Sequence, residues 1–173
     1  MLQPESIQIL PSVLNIEECS ILNKWVLDNF DTDIFQEGRA ANARRTTRFT
    51  KNVNYEYPKL ITDTFYKVRQ ELGVLDYENI SQGKDGIICA ISFNESKLET
   101  HVDPKYDDTE SLHLVIKTSS GESGGDLIIN DVVYKLNEGD CLCFFASVHE
   151  HYTNALKSTT PRIVWINGIK VKV

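Results

Sequence analysis

The chain has four histidines, His101, His113, His149 and His151. Three of them fall at the ends of predicted strands rather than inside apolar runs. The informative one opens His101-Val102-Asp103. In extended backbone, side chains two residues apart point to the same side, so this imidazole and this carboxylate can both reach one cation. A third ligand has to come from elsewhere, and His149-Glu150-His151 follows the predicted strand CLCFFASV. Two imidazoles and one carboxylate on one face of a metal leave the opposite face open. That arrangement suits non-haem iron(II), which needs free positions for a co-substrate and O2. His113 sits in the run SLHLVIKT and reads as a strand residue facing the interior.

Arg162 is the other residue whose surroundings demand an explanation. Its neighbours in PRIVWING are apolar, and a lone cation is costly to bury unless an anion accompanies it. A structural salt bridge would meet that need. So would a bound carboxylate, which the planar guanidinium can grip with two parallel donors.

H-x-D alone arises often by chance, but the full series is far more specific. It runs His101/Asp103, Gly124-Gly125-Asp126-Leu127, Gly139-Asp140, Phe145-Ala146-Ser147 with His151, and Pro161-Arg162. On these residues the chain resembles the iron(II)- and 2-oxoglutarate-dependent dioxygenases, in particular their prolyl 4-hydroxylase-like branch. The likeness is clearest over 86–167 and diffuse over 5–80, although the opening ILPSVLNIEECSILNKWV also looks like the start of that branch.

The resemblance implies a double-stranded β-helix, a cupin-like jelly roll with the metal between its two sheets. It implies an enzyme that hydroxylates a C–H bond using Fe(II), O2 and 2-oxoglutarate as co-substrate, with a peptidyl or free amino acid as the first substrate class. His101 and Asp103 match the paired metal ligands, and Gly124-Gly125-Asp126-Leu127 matches a turn into a strand. The distal ligand is His151 or His149. His151 is preferred because it follows Phe145-Ala146-Ser147 at the family's distance and stands 11 residues before Arg162, against 13 for His149. Arg162 then grips the far carboxylate of 2-oxoglutarate. The carboxylate of Asp103 favours hydroxylation over halogenation, because related halogenases lack it. Two positions depart from the pattern: Phe93 stands where many members have a tyrosine, and Val164 where a Ser or Thr is frequent. Anchoring of 2-oxoglutarate is thereby left to Arg162 and a second group that the sequence does not name.

Two readings from other classes compete. One is a cupin-like metal-binding jelly roll that uses the same ligands without 2-oxoglutarate chemistry. The other is a non-catalytic β-sandwich binding module, in which His101, Asp103 and His151 would not converge.

The elements that must position these residues follow from pattern. With 173 residues, 41% of them hydrophobic, the chain reads as one domain over 1–173. Residues 1–85 carry helical support and the first strands, and 86–173 the jelly-roll core. Ile16, Cys19, Leu22 or Ile21, Trp25, Val26 and Phe30 recur at helical spacing after Asn15, a candidate N-cap with Glu18 three residues on. A second helix is expected from Pro58 to Leu72, stopped by Gly73. From residue 86 the period changes to two. GIICAISF, SLHLVIKT, GDLIIND, VVYKL, DCLCFFASV and PRIVWINGIKVKV read as strands, with earlier ones at QIL and around RRTTRFT. Such a series suggests a β-sandwich or jelly roll.

Composition excludes several classes. Eighteen Lys and Arg against 25 Asp and Glu give a net charge of −7, which disfavours a nucleic-acid partner. No apolar run approaches the roughly 20 residues of a membrane helix, and MLQPESIQIL lacks the pattern of a secretory signal. Cys19, Cys89, Cys141 and Cys143 read as buried structural thiols of a cytoplasmic protein, since no second pair completes a site with Cys141-x-Cys143. Arg44-Arg45-Thr46-Thr47-Arg48 reads as a solvated face, or, by the resemblance, as the border of the site mouth open to an anionic or peptide-backbone partner. Asp107-Asp108-Thr109-Glu110 reads as a solvated loop near the metal, and GIKVKV as an apolar edge on which a second copy could pair.

Overall fold

A computed structural model describes residues 2–38, 47–51, 55–81 and 83–173. Ten strands and two helices follow in the order β1 (Ile7–Leu10), α1 (Ile16–Asn29), β2 (Phe35–Glu37), β3 (Thr47–Thr50), α2 (Lys59–Glu71), β4 (Ile87–Ser92), β5 (Glu110–Ser119), β6 (Leu127–Ile129), β7 (Val132–Tyr134), β8 (Cys141–Phe145), β9 (His151–Thr153) and β10 (Arg162–Val171). They form a seven-stranded sheet in the order β1-β8-β5-β10-β4-β3-β2 and a three-stranded sheet in the order β7-β6-β9. Every pairing is antiparallel. This is the expected jelly roll.

The large sheet explains why its strands look apolar throughout. One face packs against α1 and α2: Leu112, Leu114 and Ile116 of β5 and Ile163, Trp165 and Ile169 of β10 join Leu22, Val26, Ile61 and Phe65 of the helices. The alternate residues turn the other way. Val115, Leu142, Phe144 and Val164 meet Leu127 and Ile129 of the small sheet. Both faces are dry, so the period of two separates two apolar sets rather than apolar from polar.

Local signals account for the helix ends. Asn15 accepts a hydrogen bond from Glu18 N, and the Glu18 carboxylate accepts one from Asn15 N, a reciprocal cap. α2 begins after Pro58, whose ring fixes an entry φ of −51°. Its end is set by Gly73 at φ +69°, a left-handed position that costs glycine little.

Three expectations need correction. GIKVKV is not a free edge: Gly168–Val171 pairs with β5 on one side, and on the other Ile80 N donates to Gly168 O at 3.0 Å and Lys170 N to Glu78 O at 2.7 Å. Glu110 is not part of a solvated loop. It is the first residue of β5, and its buried carboxylate accepts hydrogen bonds from Lys105 Nζ at 2.5 Å and Ser147 Oγ at 2.7 Å. His151 belongs to a strand of its own, β9, which pairs with β6. Arg44, Arg45 and Thr46 of the basic run lie outside the described residues, while Thr47 and Arg48 are on β3. Among the described residues, no helix is long and apolar enough to cross a membrane.

All four cysteines are free and buried. Burial pushes the Cys19 thiol up to about 11 and the Cys89 thiol well above its ordinary value. Protonated thiols in such surroundings pack as small apolar groups.

Candidate metal centre and its cavity

His101 and His151 are brought together by backbone. The two residues form an isolated antiparallel bridge, with His101 N donating to His151 O at 3.1 Å and His151 N donating to His101 O at 2.9 Å. Their ring centroids are 4.3 Å apart. Asp103, two residues on, is held by its own N–H, which donates to Ala146 O at 2.8 Å. One ligand atom each from His101, Asp103 and His151 lies within 4.8 Å of the others. The Asp103 Oδ1 to His101 Nε2 distance is 3.5 Å.

The tautomers suit ligation. Nδ1 of His101 is 2.7 Å from Glu99 O, and Nδ1 of His151 is 2.9 Å from His149 O. A carbonyl can only accept, so in the neutral rings each Nδ1 carries the proton and each Nε2 keeps its lone pair. Burial first, and then the neighbouring His101, lower the pKa of His151, against the opposing hydrogen bond to His149 O. The lowering favours the neutral ring.

His149 is arranged otherwise. The Asn130 side-chain amide donates to its Nδ1 at 2.8 Å, and its Nε2 is buried without a partner among the described residues. Asn130 holds a left-handed φ of 47° and its N–H donates to Glu150 O at 2.9 Å. His149 thus serves the turn, and of the two distal candidates His151 is the one beside His101 and Asp103.

A cavity of about 200 Å³ opens between the sheets, and His101, Asp103, His151 and Arg162 all line it. Its walls include Ala90, Val115, Leu127 and Val164. Arg162 is buried and makes no ion pair or hydrogen bond among the described residues, although Asp126 is close enough to be felt. Burial lowers its pKa to about 10, and Asp126 opposes that. Lys117, on the same side of β5 as Val115, is lowered first by burial and then by the Arg162 charge, against the pull of Asp126, Glu138 and Asp140.

Gly125 makes room for Arg162. At φ +68° it holds a left-handed turn, and a Cβ there would meet Arg162 Cδ at 2.7 Å. Gly124 meets backbone instead, with Ala155 O at 2.1 Å from an added Cβ. The Gly-Gly pair therefore shapes the cavity as well as the turn.

Sequence reading missed two groups. Ser92 is the cross-strand neighbour of both Arg162 and Thr47, and all three line the cavity. Parity along GIICAISF would have placed Ser92 on the face of Ala90. His113 is the second: it lines the cavity, and its Nε2 is 3.3 Å from Asp103 Oδ2. Phe93 does not line the cavity and packs on Phe30, with ring centroids 5.5 Å apart.

No protein-family model and no curated protein matches the chain. Solved structures do. A viral collagen prolyl hydroxylase of Paramecium bursaria Chlorella virus-1, complexed with 2OG, is 16% identical with a TM-score of 0.71, covering 95% of each chain. A prolyl hydroxylase of Trichoplax adhaerens, complexed with a peptide of a hypoxia inducible factor, is 14% identical with a TM-score of 0.71, covering 96% of this chain and 83% of that one. SnoN, a non-heme alpha-ketoglutarate-dependent epimerase of nogalamycin biosynthesis, is 12% identical with a TM-score of 0.68, covering 98% of this chain and 79% of that one. The chain has the jelly-roll fold shared by prolyl hydroxylases and 2OG-Fe(II) oxygenases. One fold carries several chemistries in these neighbours, so function is argued from the site.

Proposed function

We propose that the protein is an iron(II)- and 2-oxoglutarate-dependent oxygenase that hydroxylates a C–H bond. One observation carries the reading: the His101–Asp103–His151 cluster and the buried Arg162, unpaired among the described residues, open onto the same cavity. The donor set fits the metal, since two Nε2 lone pairs and a carboxylate form a facial set that leaves other positions free. When bound, the iron with its co-substrate would supply O2 activation, which no side chain of this chain can perform.

The residues have separable tasks. His101, Asp103 and His151 hold the cation, and the carbonyls of Glu99 and His149 fix the rings that do so. Arg162 grips the far carboxylate of 2-oxoglutarate through its planar donors, and Ser92 beside it supplies the second anchor. Ala90, Val115 and Val164 exclude water from the space between. Resemblance to the prolyl hydroxylase branch makes a peptidyl or free amino acid the first substrate class, within a single domain spanning the chain and in a cytoplasmic setting.

Phe93 favours a second reading, a metal-binding jelly roll without 2-oxoglutarate, because it brings no hydroxyl to the cavity. One experiment separates the two: O2-dependent formation of succinate from 2-oxoglutarate by the Fe(II)-loaded protein, across a panel of peptides and amino acids. Succinate formed with O2 and Fe(II) supports the oxygenase. Tight Fe(II) binding with no succinate under any condition supports the metal-binding jelly roll.

A further inference from the structure

We infer that His113 is a positioning residue for Asp103, donating from Nε2 to Oδ2 and leaving Oδ1 as the single oxygen offered to the cation. The inference rests on the metal reading given above.

His113 interrupts an otherwise apolar strand and has no structural excuse for doing so. It is 7% exposed, and its Nε2 is buried with no aligned hydrogen-bond partner among the described residues. A buried polar nitrogen without an aligned acceptor is costly to the fold, so a leucine at this position would not destabilise the metal-free protein. The carboxylate of Asp103 is its polar neighbour, with Oδ2 at 3.3 Å. The other oxygen, Oδ1, faces His101 Nε2 at 3.5 Å. Asp103 therefore turns Oδ2 toward His113 and Oδ1 toward His101.

The ring is confined. Phe144, its cross-strand neighbour on β8, meets it edge-on with centroids 6.0 Å apart, and the same phenyl meets His151 at 5.1 Å. On the other side lies Gly168 of β10, where even a Cβ would reach within 3.6 Å of His113 Cδ2. A neutral ring has one N–H to give, and the carboxylate is the acceptor in reach. Carboxylates that ligate metals are commonly fixed by such a second contact, and its loss typically costs 10–100-fold in affinity.

The test compares Mn(II) affinity of the wild type, His113→Leu and His113→Gln by calorimetry, with Co(II) absorption spectra and metal-free thermal unfolding alongside. Leucine fills the space without a donor, while glutamine carries an N–H to nearly the same place. The expected result is a loss of roughly ten-fold or more in Mn(II) affinity for His113→Leu, recovered to within about three-fold by His113→Gln. The metal-free leucine variant should unfold no earlier than the wild type. Unchanged affinity in His113→Leu overturns the inference and leaves the oxygenase reading intact. Failure of His113→Gln to recover, with a Co(II) spectrum that loses a nitrogen ligand, overturns it in favour of direct ligation. Should His113→Leu not fold, the glutamine variant decides alone: affinity within about three-fold of the wild type supports the inference, and a larger loss overturns it. A wild type that binds no Mn(II) sinks the metal reading and this inference together.

Discussion

His101 and His151, fifty positions apart, are locked as mutual backbone partners, and each ties its Nδ1 to the carbonyl two residues before it. The two rings therefore present the same nitrogen to the same space. Backbone hydrogen bonds, rather than side-chain packing alone, hold the pair ready for a cation, which lowers the ordering cost of binding one.

That pairing predicts which histidine matters. His151→Ala should abolish Mn(II) or Fe(II) binding, whereas His149→Ala should keep affinity within about three-fold, because its ring is committed to Asn130. Calorimetric titration of the two variants checks this, and loss of metal in His149→Ala alone would reverse the assignment.

Gly125→Ala should injure the cavity without touching the cluster. The residue sits at φ +68°, and the added methyl meets Arg162 Cδ at 2.7 Å. A non-glycine residue in left-handed backbone costs about 1–2 kcal/mol, and Arg162 must shift as well. The expected outcome is an earlier thermal transition and weaker 2-oxoglutarate binding with Mn(II) affinity preserved. Equal binding of 2-oxoglutarate by the variant and the wild type would show that Arg162 is not confined by this turn.

Glu110 links stability to pH. Burial alone would raise its pKa, but hydrogen bonds from Lys105 and Ser147 and the Lys105 charge outweigh that and hold it below the ordinary value. A carboxyl depressed in the folded state stabilises the fold at pH above the unfolded value, and that contribution is lost as pH falls through the folded one. The stability gap between wild type and Glu110→Gln should therefore be full at pH 7 and shrink as pH drops below the ordinary glutamate range. Urea unfolding at pH 7 and at pH 4 measures it. A gap that is the same at both would show the charge to be irrelevant.

Much of this was legible from pattern, and the gaps have physical causes. Reciprocal capping by Asn15 and Glu18 is a local matter, so the start of α1 could be read directly. The alternation in GIICAISF and PRIVWINGIKVKV named the strands, because each must serve two dry faces. It could not say that β10 lies between β5 and β4, since strand order depends on contacts distant in sequence. β9 escaped notice because three residues, His151–Thr153, carry no readable period. His101 and Asp103 announced themselves by their spacing, and Arg162 as a cation within an apolar run. His113 did too, but parity within SLHLVIKT shows only a face. What that face meets, Asp103 at 3.3 Å, emerges when the preceding segment folds across it.

The central claim is a metal-dependent site for 2-oxoglutarate that ends at Arg162. Its most direct test is anaerobic titration of 2-oxoglutarate into the Fe(II)-loaded protein and into the metal-free protein, for wild type and Arg162→Lys. Lysine keeps the charge and loses the planar fork. The account predicts one 2-oxoglutarate per chain with metal present, little binding without it, and affinity weakened roughly ten-fold or more in Arg162→Lys, in line with about 1.5–3 kcal/mol for a charged hydrogen bond. Fe(II) affinity should not change in that variant. A wild type that holds Fe(II) yet ignores 2-oxoglutarate, or an Arg162→Lys variant that binds it as well as the wild type, would contradict the account.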